Sequence, residues 1–565
     1  MITSCVKRLG GVPVLFVNGK PEPGAAYITY FRERADYAEF GRAGYRLFSI
    51  PVFFGDRTIN PRTGIHPFEP GIFSVRGKAD FSILDRQVRQ VLEAVPDALI
   101  FPRVNIAMPG WWEDENPDEC CFTAHNGGPR RSCFSSEKWR EATKVLMEKF
   151  FDYAEHAPYA DRLCAYMLAN GTTEEWFGFD DRGSDGPAAR AAYGEHADIA
   201  DPAYRRFLSR SAAEALTGFA RFAKKLSGRG KAIGTFYGYT FETPRWEANH
   251  HALRVLLDSP DVDFICTPDS YTARLKPGTA WPFMQPFASL TAAGKAYFCE
   301  YDTRTCLSRF PAECRENSSE PGTYCQPLWL GPETVEKSRW VLQMNMARQL
   351  AEGHSSWWFD MWGMWYRDPG MMEDMRRFRE LVVRDLADPE RGSAAECAAW
   401  IDEEAFGSVG RGEDGGLCRD GRFALGQCGV PFDIYEIGDW ELKSKNYRTA
   451  VFFAPDETPR LAAALAECEK RKIPHLVMRA GEVPEPEAIR DLAVGAGAHC
   501  YCDSGDAVWI GKHYAGIHAA SDGDKVLKLP GRRVWKPLFP AGDAFAADRV
   551  EVKLQLGETR LWRLD

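Results

Sequence analysis

Along the first two thirds of the chain, short apolar runs rich in β-branched and aromatic residues alternate with longer stretches whose apolar residues recur at helical spacing. Eight runs predict strands, at 25–31, 45–54, 98–106, 162–169, 231–239, 262–268, 295–300 and 354–360. The stretches between them predict helices, among them 83–95, 137–156, 202–226, 248–257 and 334–353. Eight strand-helix units describe a parallel sheet closed on itself, a (β/α)8 TIM barrel, whose functional groups gather at the C-terminal ends of the strands. Two segments, 109–136 and 305–331, exceed what a connection needs and are expected to shape a cleft.

A last barrel helix at 371–388 leads into Pro389, Arg391 and Gly392, and a new alternation starts at 397–401. A strand at 447–454, a helix at 459–472, a strand at 474–478 and a helix at 486–496 describe a small open α/β domain. From Ala507 the pattern shortens to strands at 508–510, 526–529, 550–554 and 559–563. The expected organisation is an N-terminal extension (1–24), a barrel (25–392), an α/β domain (393–503) and a C-terminal β domain (504–565). A length of 565 residues suits two or three cores better than one.

Charge narrows the partner. A net charge of -10 opposes a polyanion, since nucleic-acid binding needs a basic face, and no apolar run reaches the roughly 18 residues of a membrane span. Aromatics at 13% leave rings to spare for stacking on sugar C–H faces. The first twenty residues, broken by Pro13, do not predict a signal peptide, and 16 scattered Cys suit buried thiols. A cytoplasmic location is the expectation.

The chemistry lies at two strand ends. The fourth strand runs into Asn170-Gly171-Thr172-Thr173-Glu174-Glu175-Trp176-Phe177, the seventh into Glu300-Tyr301-Asp302-Thr303-Arg304. Cleavage of a glycoside with retention needs one carboxylate to attack the anomeric carbon and one carboxyl to protonate the leaving oxygen, roughly 5 to 5.5 Å apart. Strands four and seven face each other across a barrel mouth, so a glutamate from each can meet over one sugar. Glu300 is the expected nucleophile, kept ionised by Arg304 or Arg103. Glu175 is the expected acid/base, its pKa raised by the apolar wall of Trp176 and Phe177, with Glu174 as second choice. Asp302 competes with Glu300 but lies two residues beyond it.

These residues resemble the clan A glycosidases, in particular the β-galactosidases of glycoside hydrolase family 42 and their β-mannosidase relatives. In that clan the acid/base ends the fourth strand and the nucleophile ends the seventh, which map onto Glu175 and Glu300 here. Arg103-Val104-Asn105 with Trp111-Trp112, the stretch 251–271 and the stretch 357–366 are similar to barrel segments of the group. Clan A members commonly carry Asn before the acid/base, where this chain has Thr173 before Glu174 and Glu174 before Glu175. The choice between the two glutamates stays open at this point. The resemblance further implies a trimerisation-like α/β domain, a small β-sandwich-like tail and a homotrimer.

Candidate substrate contacts are Arg103, Asn105, Tyr237, Tyr271, Trp358, Asp360 and Trp362, all at or just past strand ends. Cys120, Cys121 and Cys133 share a loop with His125, without the paired spacing of a firm zinc site, and Cys306, Cys314 and Cys325 share another. No Walker loop, dinucleotide fingerprint or H-E-x-x-H motif occurs, so neither cofactor nor metal is expected. The leading expectation is a retaining exo-β-glycosidase acting on oligosaccharides, β-galactosidase first and β-mannosidase second. A non-catalytic carbohydrate-binding barrel is the alternative of another class. A metal-dependent barrel hydrolase would want more than 11 His.

Overall fold

The apolar runs of the first two thirds lie side by side and all parallel, closing on themselves in the computed structural model, which describes residues 2–60, 63–122, 131–178, 182–271, 277–280, 283–410 and 416–565. Eight staves form the barrel, two of them broken. The second consists of Leu47–Phe48 and Pro51–Phe53 and the third of Leu99–Ile100 and Arg103–Asn105. Pro51 and Pro102 interrupt these staves because proline brings no N–H to the ladder. Closure is set by the first strand, Ala25–Ile28, which pairs with Leu47–Phe48 on one side and with the eighth, Ser355–Phe359, on the other. Strands four to seven are Ala165–Ala169, Ala232–Phe236, Phe264–Pro268 and Ala296–Tyr301.

Aromatic rings fill the barrel interior as one packed layer. Phe298 lies 5.3 Å from Phe264 and 6.0 Å from both Phe101 and Trp357, and Trp357 lies 6.1 Å from Phe236. Gly234 makes room for this layer, since a Cβ there would sit 1.9 Å from the Phe264 ring. The site rests on that floor. Helices start on side-chain caps where the sequence supplies them, at Ser136, Asp201 and Thr334, each worth about 1 kcal/mol.

The first residues do more than extend the chain. Ser4–Leu9 and Val12–Val17 form a hairpin across Gly10-Gly11, and Ile2, Leu15 and Val17 join the barrel core. Ser4 accepts from Ala232 N and donates to the Cys164 carbonyl, which holds the hairpin against the starts of strands four and five.

After helix Pro369–Asp385 comes a four-stranded parallel sheet in the order Phe432–Glu436, Cys397–Ile401, Ala450–Phe453, His475–Met478. Its first strand and helix Leu417–Gln427 escaped the sequence pattern. Phe432, Asp433 and Ile434 are only half-buried, so this edge strand carries a weak apolar signal. The tail is a five-stranded antiparallel sheet that encloses a core of its own, with Ile517, Leu527, Trp535, Val550, Leu554 and Trp562 in it. Its other face, with Trp509, Tyr514 and Leu561, packs on barrel helix Val335–Glu352; Gly516 lets Ala347 approach, and Thr559 donates to the Trp340 carbonyl at 2.8 Å. Arg254 on Glu436 (2.6 Å) and Asp439 (3.0 Å), and Arg563 on Asp388 (2.7 Å), tie these units to the barrel. Among the described residues, no helix is long and apolar enough to cross a membrane.

Candidate active site

Strand parity places Phe298 and Glu300 inward and Cys299 and Tyr301 outward, so Glu300 stands above the aromatic floor at the C-terminal end of strand seven. Its Oε2 receives Nη2 of Arg103 and Nε1 of Trp357, the latter at 2.9 Å. Arg103, 1% exposed, is ringed by Phe236, Phe359, Trp357 and Tyr30 at 4.8 to 5.7 Å from its guanidinium carbon. Burial raises the Glu300 pKa, Arg103 pulls it back down, and the net direction is up. Arg304, the other expected partner, instead pairs with Asp302 at 2.6 Å and lies between Trp329 and Trp365.

The end of strand four is bent hard. Thr173, Glu174 and Trp176 all have positive φ, at 56, 71 and 62°, which costs of order 1–3 kcal/mol each and is tolerated where surrounding contacts enforce it. The turn aims two successive carboxyls to different partners. Glu175 accepts from Tyr239 (2.9 Å) and Tyr271 (2.6 Å) on Oε1 and from Thr173 on Oε2. Glu174 accepts from the Tyr30 hydroxyl, with the Asn105 amide beside it, and is wholly buried. Burial pushes each pKa up to about 7, and the charge of Glu300 adds to both, so the three carboxyls lie within electrostatic reach of one another.

The apolar surroundings of Glu175 differ from the sequence expectation. The Trp176 ring turns back into the core, donating to the Leu168 carbonyl at 3.2 Å and packing near Phe134 and Phe219. Phe177 stacks on His250 and meets Tyr239 edge-on at 5.0 Å.

Of the expected contacts, Arg103, Asn105 and Tyr271 converge on the carboxyls, and Trp362 stands near Tyr30 at 6.4 Å. Three do not. Tyr237 is buried with its hydroxyl on the Ser209 and Asn249 carbonyls, because it follows inward-facing Phe236 and points out of the barrel. Trp358 likewise points out between sheet and helix, donating to the Tyr45 hydroxyl at 3.0 Å. Asp360 is buried and accepts from Tyr27 (2.7 Å), Met364 N (2.9 Å) and Trp365 N (3.0 Å), so it fixes the turn after strand eight.

The residues missed are Tyr30, Tyr239 and Trp357. Parity marks Trp357, since only one of the Trp357-Trp358 pair can face inward. Tyr239 is marked by Gly238 (φ 82°), which turns the chain so that the second tyrosine of Tyr237-Gly238-Tyr239 reaches the mouth. In the cysteine loop the Cys121 thiol donates to the Ser132 carbonyl and the Cys133 thiol to the Ser184 carbonyl, and His125 lies outside the described residues. Among the described residues no group of three or more His, Cys, Asp or Glu is arranged to hold a metal ion.

No family model and no curated protein matches the sequence. Solved structures do match in shape. A β-galactosidase from the psychrophilic Marinomonas ef1 superposes with a TM-score of 0.63 at 11% identity, covering 96% of this chain and 100% of its own. A β-galactosidase from the haloarchaeon Halorubrum lacusprofundi gives 0.62 at 13% identity over 95% and 99%. The chain has the fold of these glycosidases. A family 42 exo-carrageenase from Bacteroides ovatus gives 0.58 at 12% identity over 99% of this chain and 84% of its own. All three span the barrel and the units that follow it, so the likeness is one of whole architecture.

Proposed function

We propose that the chain is a retaining exo-β-glycosidase, β-galactosidase first, that removes terminal sugars from oligosaccharides by double displacement. The observation that carries this is the pairing of Glu300 and Glu175 at the ends of strands seven and four, in opposite surroundings. Glu300 is held by a cation and an indole N–H, as an ionised nucleophile needs. Glu175, 7% exposed against 0% for Glu174, has its pKa raised to about 7, as a general acid at neutral pH needs.

In the proposed cycle Glu300 attacks the anomeric carbon while Glu175 gives its proton to the departing oxygen. Glu175, now ionised, takes a proton from water, which attacks the glycosyl-enzyme and frees Glu300. Tyr239 and Tyr271 donate to Glu175 and so stabilise the ionised form it reaches at mid-cycle. A homotrimer and a cytoplasmic location belong to the same proposal and rest on the family resemblance and the composition.

Hydrolysis of aryl β-glycosides (galactoside, mannoside, glucoside, fucoside, arabinoside) tests the reading. Glu300→Gly should abolish turnover, and azide should restore activity to Glu175→Ala but not to Glu174→Ala. Preference for the mannoside would replace the galactosidase reading and leave the mechanism standing. Full activity in Glu300→Gly would sink the nucleophile assignment, and no cleavage of any member would favour a carbohydrate-binding barrel.

A further inference from the structure

Glu174 has no part in the cycle above, yet it sits at zero exposure on a strained turn beside the catalytic pair. A hydrogen-bonded chain links it to the nucleophile. Its Oε2 accepts from Tyr30, the Tyr30 hydroxyl accepts from Nη1 of Arg103 at 3.0 Å, and Nη2 of Arg103 reaches Oε2 of Glu300. Among the described residues, none makes a hydrogen bond of full geometry to the buried Oε1 of Glu174.

Among the described residues, the groups facing this cluster are Tyr30 from just past strand one, Arg103 and Asn105 from strand three, Glu175 on its own turn and Glu300 from strand seven. Asp302 is paired with Arg304, and Asp269 with Arg348. Among the described residues, one guanidinium therefore serves two buried carboxyls. Leaving a second buried carboxylate without its own cation is costly, so one of the two holds a proton. Glu300 has the direct ion pair and the indole donor; Glu174 has only a phenol and an amide. The proton belongs on Glu174.

We propose that Glu174 is a positioning residue that stays protonated in the working enzyme, anchoring Tyr30 as a neutral acid and leaving the charge of Arg103 to Glu300. The inference rests on Glu300 and Glu175 being nucleophile and acid/base. The raised pKa of Glu174 agrees with it. An ionised Glu174 would compete for Arg103 through Tyr30, so activity requires protons on both strand-four glutamates. Each titrates near 7.

The kcat/KM profile of the wild type should then fall with a limiting slope of two in log units per pH unit on its alkaline side, and Glu174→Gln should fall with a slope of one. The amide keeps the Tyr30 contact and cannot ionise, so activity at the optimum should stay within about threefold, well inside what one lost charged hydrogen bond would remove. Glu174→Leu should lose activity that Glu174→Gln keeps. A readout without substrate runs in parallel. A carboxyl with its folded pKa above its unfolded 4.5 contributes stability that is whole at low pH and lost as pH rises through about 7, so the Tm of Glu174→Gln should decline less between pH 5 and 8 than that of the wild type. An alkaline slope of one in both proteins, with parallel Tm curves, overturns the proposal. Inactive Glu174→Gln with azide-restored Glu174→Ala would instead make Glu174 the acid/base and sink the assignment of Glu175. Azide rescue confined to Glu175→Ala keeps that assignment whatever Glu174 does.

Discussion

Replacing Arg103 by Met removes the cation beside Glu300 and keeps a side chain able to fill the ring of Phe236, Phe359, Trp357 and Tyr30. Glu300 then faces burial with only the Trp357 donor to favour its charge, and its pKa, already above 4.5, rises further. One adjacent arginine lowers a carboxyl pKa by about 1–3, so the acidic limb of kcat/KM should move up by about that much on the pH axis. Stability follows with a definite sign. A carboxyl whose folded pKa is raised contributes stability that is complete below its unfolded value and lost as pH rises through its folded value. Protonation caps the loss at about 1.4 kcal/mol for each tenfold weakening of the Glu300 acid, so a hundredfold weakening costs about 2.7 kcal/mol, below the roughly 3–5 kcal/mol of a buried charge left ionised. Thermal unfolding of wild type, Arg103→Met, Glu300→Gln and the double variant from pH 5 to 8 reads this without any substrate. Arg103→Met should lose ground to the wild type as pH rises, and the double variant should recover most of it. An acidic limb that stays in place, or a stability deficit that Glu300→Gln fails to relieve, would show that Arg103 does not hold the charge of Glu300.

Tyr239→Phe and Tyr271→Phe each remove a donor to Glu175, so its pKa should rise from about 7 and the alkaline limb of kcat/KM should move up by about one pH unit or less, with a slower deglycosylation step seen as burst kinetics. Gly234→Ala puts a methyl into the Phe264 ring and should cost about 1–3 kcal/mol in chemical denaturation while KM stays within twofold if the variant folds. Asp360→Ala leaves Tyr27 and two backbone N–H groups without their acceptor and should lower Tm; a tenfold rise in KM at unchanged Tm would return Asp360 to the substrate.

Period and turn residues carried the barrel. Seven of the eight staves lie within the apolar runs that announced them and the seventh strand ends one residue past its run, because a strand buried on both faces needs an unbroken apolar run. The N-terminal hairpin was legible in principle from Gly10-Gly11 between two apolar stretches. Edge strand Phe432–Glu436 was not, since half-burial leaves little apolar signal. For single side chains the decisive variable was direction. Tyr237 and Trp358 have the right chemistry at the right strand ends and face the wrong way, whereas Tyr239 and Trp357, their near neighbours, face the site. A strand reverses direction every residue, so a one-residue error in where it ends exchanges core for cleft. Glu174 and Glu175 show the limit of that rule. Parity would send adjacent residues to opposite faces, and three left-handed residues in four override it, turning Glu174 onto Tyr30 and Glu175 onto Tyr239 and Tyr271. Local propensity disfavours such a turn at every non-glycine position it uses. The donors it meets, Tyr30 for Glu174 and Tyr239, Tyr271 and Thr173 for Glu175, make it worth forming, and those donors come from the segments after strands one, four, five and six. The signal for this part of the site is therefore spread over residues 30 to 271, and no window of the sequence contains it.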